Sequence, residues 1–319
     1  MNISSLNRLR FIFAVLVSFT ILGILFTNAK LETTLTVMRK ADLRLLLLAA
    51  LLSVSVNIII GALKWRKVLW YINCRLSFKE ALSIRTACIP FKVIFPLKSS
   101  ELLKAFYLNR KKGLSFGRAV GSLLLEKVLN ILVTLCILLM GLAFVKVDIP
   151  WTIPVLLAVL SIYTVFSRGL IKALVYLGSR IHKRVRDFIN ELLHSFEAIN
   201  ARGKAVLLLY SLAFQSSEFI NTYILLKAVG LSVPFALILV YIPIAMVINN
   251  LPVTILGLGT REALFVLLFA RYGASGPLLS AGLLVSLVEY LLPLLAGLFF
   301  IKPFFEFVSI RSDLTSQKA

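Results

Sequence analysis

Acidic residues are scarce in this chain of 319 residues, in which 14 aspartates and glutamates stand against 35 lysines and arginines. Charged residues of either sign make up 15% of the sequence, well below the roughly 25% of soluble domains, and 60% of it is apolar. With a mean hydropathy of +0.95, that balance excludes an ordinary soluble domain. Only four aspartates occur, Asp42, Asp148, Asp187 and Asp313, all outside the long apolar runs, so no paired-aspartate metal site is expected at membrane depth. The two histidines, His182 and His194, lie twelve residues apart in a polar stretch and read as solvated rather than ligating. Three cysteines, Cys74, Cys88 and Cys136, show no CxxC spacing. Their odd number argues against a disulfide framework, and they read as core thiols. There is no P-loop, HExxH or GxSxG. No cofactor and no metal is therefore expected, and nucleotide hydrolysis has no motif to carry it.

Apolar runs are what the chain has in abundance. A bilayer core of about 30 Å needs about 20 residues of helix. Six runs approach or exceed that length: Leu9 to Phe26, Leu43 to Leu63, Ala119 to Val145, Ile149 to Phe166, Ala205 to Leu226 and Pro277 to Ile301. Two further regions, near 80 to 108 and 234 to 272, are apolar but interrupted. The expected fold is all-α: one polytopic transmembrane domain over 1–319, with six full spans and two interrupted or re-entrant helical hairpins. Arg8 and Arg10 before the first run resemble the start of a signal peptide, but no small-residue cleavage site follows, so the first helix is expected to be retained.

A net charge of +21 invites a nucleic-acid reading, and the positions of the cations decide against it. Lys64, Arg66, Lys67, Arg75 and Lys79 follow the second run; Arg110, Lys111, Lys112 and Arg118 precede the third; eight more lie between Arg168 and Lys204. The alternate loops carry little excess. The positive-inside rule then places both termini and the basic loops in the cytoplasm of a cell inner or plasma membrane. There each cation gains about 1 kcal/mol from anionic head groups. Within 167–203, apolar residues recur at steps of three and four from Ile171 to Ile199. That is an amphipathic helix, lying flat on the inner leaflet or packing on the cytoplasmic end of the bundle.

An internal repeat is also visible. "LSFKEAL" at 76–82 matches "LSVPFAL" at 231–237, and "GLAFVK" at 141–146 matches "GLFFIK" at 297–302. Between these ends each unit, 76–146 and 231–302, has an Ile-Pro step, a second proline (Pro96, Pro252), a glutamate (Glu101, Glu262), a glycine (Gly113, Gly273) and a long run with one glutamate (Glu126, Glu289). The charge pattern gives the units opposite orientation, an inverted repeat of the kind that places broken helices near the midplane of transporters.

Pro96, Pro252, Gly257 and Gly259 should end helices at membrane depth, with Ser99 or Ser100 and Thr260 capping the helices that restart. Five glutamates, Glu101, Glu126, Glu218, Glu262 and Glu289, fall within or beside apolar segments. At about 2.5 to 3.5 kcal/mol each, five unpaired charges would cost roughly 12 to 17 kcal/mol, as much as the whole stability of a typical domain, about 5 to 15. They must find partners. Lys98 and Arg261 stand at the breaks, Lys127 adjoins Glu126, and Arg85, Lys92 and Lys104 border the first hairpin. Two readings stay open: a polar cleft that receives an anionic head group, or carboxylates that cap their own helices and pair with Lys98 and Arg261 as structural glue.

Two stretches resemble a known family. "LPVTILGLGTREAL" is similar to the proline, glycine-x-glycine and arginine-glutamate element of the family defined by the transmembrane region of lysylphosphatidylglycerol synthase. "FPLKSSELLKAFYLNRKKGLSFGRAVGSLLLEKVLN" resembles that family's other polar stretch. The chain departs from the pattern in having Ser100 where glycine precedes the first glutamate and Leu256 before Gly257. The resemblance covers about 10 to 305. It implies movement of lipids between leaflets, with Glu101, Glu126, Arg261 and Glu262 carrying the family's polar features. No aminoacyl transferase domain is expected after the last run. The candidate cleft residues are thus Lys98, Glu101, Glu126, Glu218, Gly257, Gly259, Arg261, Glu262 and Glu289, with none catalytic. The expected partners are membrane lipids and a separate lipid-modifying enzyme, and no nucleic acid. A membrane-embedded transferase on polyprenyl lipids or phospholipids and a non-catalytic partner of a soluble synthase are the alternatives.

Overall fold

The structure, a computed structural model, describes residues 3–94, 100–145, 183–249, 254 and 257–309. Every regular element among them is helical. In chain order they are α1 (Ile3–Ala29), α2 (Leu31–Lys40), α3 (Leu43–Tyr71), α4 (Phe78–Ala87), α5 (Leu102–Lys112), α6 (Phe116–Phe144), α7 (Lys183–Glu197), α8 (Ala201–Ala228), α9 (Phe235–Asn249), α10 (Thr260–Leu268), α11 (Ser275–Leu298) and α12 (Ile301–Ser309). Short turns occur at Phe91–Ile94 and Ala270–Tyr272.

Among the described residues four helices are long and apolar enough to cross a membrane: Ile12–Ala29 within α1, and α3, α6 and α11. The expected run at 149–166 lies outside the described residues. Helix α8, at 28 residues, spans about 42 Å at 1.5 Å per residue, but Gln215, Ser216, Ser217, Glu218 and Asn221 interrupt its apolar character. Large apolar side chains face outward all around the bundle, including Phe19, Leu51, Ile131, Phe144 and Phe299. An outer surface of this kind suits hydrocarbon rather than water.

Two long helices are not α-helical throughout. Helix α3 widens to a π turn at Val56–Ile60 and α11 does so at Leu287–Leu291. Such single wide turns often mark functional places in a helix, and here the two turns are joined by side chains. Helix α3 also runs eight residues beyond its apolar run, capped at its start by Asp42, which accepts from the Arg44 and Leu45 amides. Lys64 is therefore inside a helix and fully buried, not in the cytoplasmic loop to which its charge assigned it.

The interrupted regions are broken as expected. The first consists of α4, the turn Phe91–Ile94 and α5; the second consists of α9 and α10. Pro96, Lys98, Ser99 and Pro252 lie outside the described residues. The caps differ from expectation. Helix α5 starts from Glu101, and buried Ser100 leaves its hydroxyl without a partner. Thr260 is the first residue of α10, whose cap position is Gly259 at φ 88°. Gly257, at φ 80°, precedes it in the same left-handed region. A side chain at 259 would also meet the Ser18 carbonyl of α1 at 3.0 Å, so glycine is needed for both backbone shape and space.

Two cores result. One gathers Phe219, Ile238, Ile242, Phe265, Phe269 and Leu284 around α8 to α11. The other packs Trp65, Leu69, Ile84, Ala105, Leu108 and Leu123 around the first hairpin. A reciprocal contact joins them. Gly141 of α6 meets Leu239 of α9, and Gly297 of α11 meets Thr86 and Pro90 at the end of α4. Helix α6 thus presses a glycine onto α9, and α11 presses one onto the end of α4.

Helix α7 packs closely on α6, where a Cβ at Gly117 would stand 2.6 Å from Glu191 Oε2 and one at Gly121 2.7 Å from the Leu192 carbonyl. Ser195 donates to the Arg118 carbonyl at 3.1 Å. Of the two readings of this amphipathic segment, packing on the bundle describes α7; residues 167–182 lie outside the described set. Cys74 and Cys88 are buried as expected, but Cys136 is exposed on α6 and is not a core thiol.

Candidate functional site

Helix α5 begins at Glu101, and one turn later Lys104 places its Nζ 2.9 Å from the Glu101 carboxylate. Lys92 approaches the same carboxylate at 3.9 Å from the other side of the break. Lys104 is also 4.0 Å from Glu126 of α6, and Arg85 of α4 is 3.7 Å from that carboxylate. Lys64 enters from α3, donating to Asn130 Oδ1 and, at 3.4 Å, to the Glu126 carbonyl. Four helices therefore converge on one ionic cluster, built around a glutamate that the repeat singled out.

Its cations also rest on aromatic faces. Lys64 and Arg85 stand 5.9 and 5.4 Å from the Phe214 ring centre, and Lys104 stands 5.5 Å from that of Trp65. Such faces stabilise a desolvated cation without neutralising it. Gly61 makes the arrangement possible, since a Cβ there would lie 2.1 Å from Arg85 Nη1. In the π turn the Gly61 amide bonds the Val56 carbonyl five residues back. The Asn57 carbonyl accepts from Arg85 Nη1 instead.

A second cluster forms where α10 begins. Glu262 accepts from the Gly259 amide at 2.6 Å, satisfying one of the donors that a helix start leaves open. Ser286 of α11 lies between Arg261 and Glu262: its hydroxyl accepts from Arg261 Nη1 at 2.6 Å and donates to Glu262 Oε1. The Arg261 guanidinium lies 3.5 Å from the centre of the Tyr290 ring. Arg261 and Glu262 are both buried. Arg261 and Glu262 are thus held by α11, not simply by one another as the glue reading had them.

Glu289, in the π turn of α11, links the clusters. It accepts from Ser53 at 3.1 Å and Asn57 Nδ2 at 3.4 Å, both on α3, and from Asn221 Nδ2 on α8. Asn57 consequently touches Arg85 with its carbonyl and Glu289 with its amide. Glu218, half-buried on α8, interacts with Tyr290 through its charge. A polar seam runs from Lys92 and Glu101 at the first break, through Lys104, Glu126, Arg85 and Asn57, to Glu289; the next residue in the chain, Tyr290, carries the Arg261 guanidinium of the second cluster.

The structure thus gathers Glu101, Glu126, Glu218, Gly257, Gly259, Arg261, Glu262 and Glu289 along this seam; Lys98 lies outside the described residues. Asn221 stands in the polar stretch around Glu218 that the sequence shows on α8, whereas sequence reasoning missed Lys64, Asn57, Ser53, Asn130, Ser286 and Tyr290. Lys64 and Asn57 had a signal: Asn57 sits within an apolar run and Lys64 at its end, where polar side chains need internal partners. The others are ordinary helix residues until the neighbouring helix is known.

The UPF0104 membrane protein of Pyrococcus horikoshii is 21% identical over 315 aligned residues, which cover 89% of this chain and 94% of that protein. The family described as Lysylphosphatidylglycerol synthase TM region matches residues 11–297. With that match over most of its length, the chain belongs to the family of the lysylphosphatidylglycerol synthase transmembrane region and is a multi-pass membrane protein.

Proposed function

We propose that this protein is a lipid translocase, which moves an anionic or polar lipid between leaflets along the polar seam while the acyl chains stay in the surrounding hydrocarbon. The observation that carries this reading is the seam itself, in which the ionic cluster at the first break is joined through the π turns of α3 and α11 to Glu289, whose neighbour Tyr290 holds Arg261 at the second break. Ionisable groups inside a bundle are expensive and tend to mark a substrate path. Broken backbone at such depth is tolerated where it is enclosed by protein or lines a cavity. The reading is supported further by the reciprocal packing of Gly141 and Gly297, the contact expected of two inverted units related by a pseudo-two-fold axis.

In this reading the hairpins rock against the long helices, and the head group passes from one break to the other. Both termini and the basic loops face the cytoplasm of the cell inner or plasma membrane. No driving nucleotide is needed for equilibration between leaflets. A separate lipid-modifying enzyme supplies or consumes the lipid. A transferase chemistry has no observation of its own in its favour.

The test is reconstitution into liposomes containing fluorescent lipids of anionic and zwitterionic classes, read as the fraction an external quencher reaches. Faster equilibration than in empty liposomes, for at least one lipid class, is expected. Equal rates for every class would remove the proposal. Fluorescent-protein fusions at each end check the orientation, since only cytoplasmic fusions should fluoresce in bacterial cells.

A further inference from the structure

The two ends of the seam differ in a way that assigns their roles. At the second break the carboxylates are closed: Glu262 accepts from Gly259 and Ser286, and Glu289 accepts from Ser53, Asn57 and Asn221, so neutral donors satisfy both oxygens of each. At the first break, four cations, Lys64, Arg85, Lys92 and Lys104, surround two carboxylates, Glu101 and Glu126. The local excess is two positive charges. Four buried polar atoms around it that can donate have no hydrogen-bond partner: Trp65 Nε1, Arg85 Nε, Thr86 Oγ1 and Ser100 Oγ. Buried polar atoms are normally satisfied, and donors left open beside excess positive charge suit an anionic acceptor. The side chains of Lys92 and Glu101 are 36% and 23% exposed, more than those of Arg85, Lys104 and Glu126.

We infer that this cluster is the phosphate site of the transported lipid, and that it favours a dianionic phosphomonoester head group over a monoanionic phosphodiester. The inference rests on the translocase reading and adds the substrate class. Lys64, Arg85 and Lys104 supply the cationic donors. Phe214 and Trp65 lie against these cations, and Gly61 leaves room for the guanidinium of Arg85 against α3. Glu101 competes with the incoming phosphate for Lys104 and Lys92, so it acts as an internal stand-in that the head group displaces. Ordinary phosphomonoesters carry close to two negative charges near neutral pH, which matches the excess.

The test measures binding of dioctanoyl phosphatidic acid, dioctanoyl phosphatidylglycerol, dioctanoyl phosphatidylcholine and inorganic phosphate to the purified full-length protein in neutral detergent at fixed salt. Phosphatidic acid should bind at least tenfold more tightly than phosphatidylglycerol, with phosphatidylcholine and inorganic phosphate weaker still. Lys64→Met and Lys104→Met should each weaken phosphatidic acid binding by roughly 10- to 100-fold, as loss of a charge-assisted hydrogen bond does. Glu101→Gln removes the competitor and should tighten it, an increase that mere damage to the fold does not produce. Weaker or unchanged binding in Glu101→Gln, or equal affinity for phosphatidic acid and phosphatidylcholine, would overturn the assignment. Inorganic phosphate binding as tightly as phosphatidic acid would overturn its lipid part. Selective binding without any transport in liposomes would leave this site standing and remove the translocase reading; transport without phosphate selectivity would do the reverse.

Discussion

Arg261 offers the sharpest check on whether the second cluster holds the bundle together. Its side chain donates a charged hydrogen bond to Ser286 at 2.6 Å and lies over Tyr290, 3.5 Å from the ring centre. A hydrogen bond to a charged group is worth about 1.5 to 3 kcal/mol, and a desolvated cation over an aromatic face adds about 2. Arg261→Ala should therefore cost about 3.5 to 5 kcal/mol, roughly a quarter or more of the about 5 to 15 kcal/mol that keeps a typical domain folded. Folded yield should fall together with transport, not after it. The assay is reversible unfolding in mixed micelles, followed by tryptophan fluorescence, for the parent, Arg261→Ala, Tyr290→Leu and the double variant. If stacking is real, the two losses fall short of additive by about 1 to 2 kcal/mol. Full additivity would refute the stacking argument, and a stable, folded Arg261→Ala with transport abolished would refute the structural role altogether.

Two other perturbations follow from close contacts. Gly61→Ala gains about 1 kcal/mol of helix propensity, yet its methyl would sit 2.1 Å from Arg85 Nη1; transport should fall sharply in the liposome assay while thermal stability changes little. Gly141→Ala and Gly297→Ala place methyl groups 2.7 Å from Leu239 and 2.5 Å from Pro90, and each should lower stability by about 1 to 3 kcal/mol. Similar losses at both positions, measured by unfolding, are what equivalent contacts require.

Much of the scaffold was legible because its causes are local. Apolar length marks α1, α3, α6 and α11, and glycine at 257 and 259 marks the second break, where φ values of 80° and 88° are needed. The glutamates announced themselves by their expense in an apolar run. Other features were hidden because their cause is another helix. Lys64 ends an apolar run by composition, so it reads as the start of a loop, yet Asn130 and the Phe214 ring bury it. Ser286 is unremarkable in α11 until Arg261 and Glu262 arrive on either side. The expected caps at Ser100 and Thr260 followed from hydroxyl preference alone. At α10 the helix start is satisfied by Glu262, whose carboxylate reaches back to the Gly259 amide.

Asn57 is where the two halves of the seam can be separated experimentally. Its carbonyl serves Arg85 and its amide serves Glu289, so the two functions sit on backbone and side chain of one residue. Asn57→Leu removes only the amide. The π turn and the carbonyl contact to Arg85 remain, and Glu289 keeps Ser53 and Asn221 as donors. Loss of one donor to a carboxylate that retains others should cost about 1 to 2 kcal/mol of stability. Phosphatidic acid binding at the first break should be unchanged, because no group of that cluster is touched. Transport, by contrast, should slow, because the head group must pass the point where Asn57 bridges the two ends. A variant with weakened phosphate binding would mean that the clusters act as one site, and unaltered transport would mean that the path does not run through Asn57.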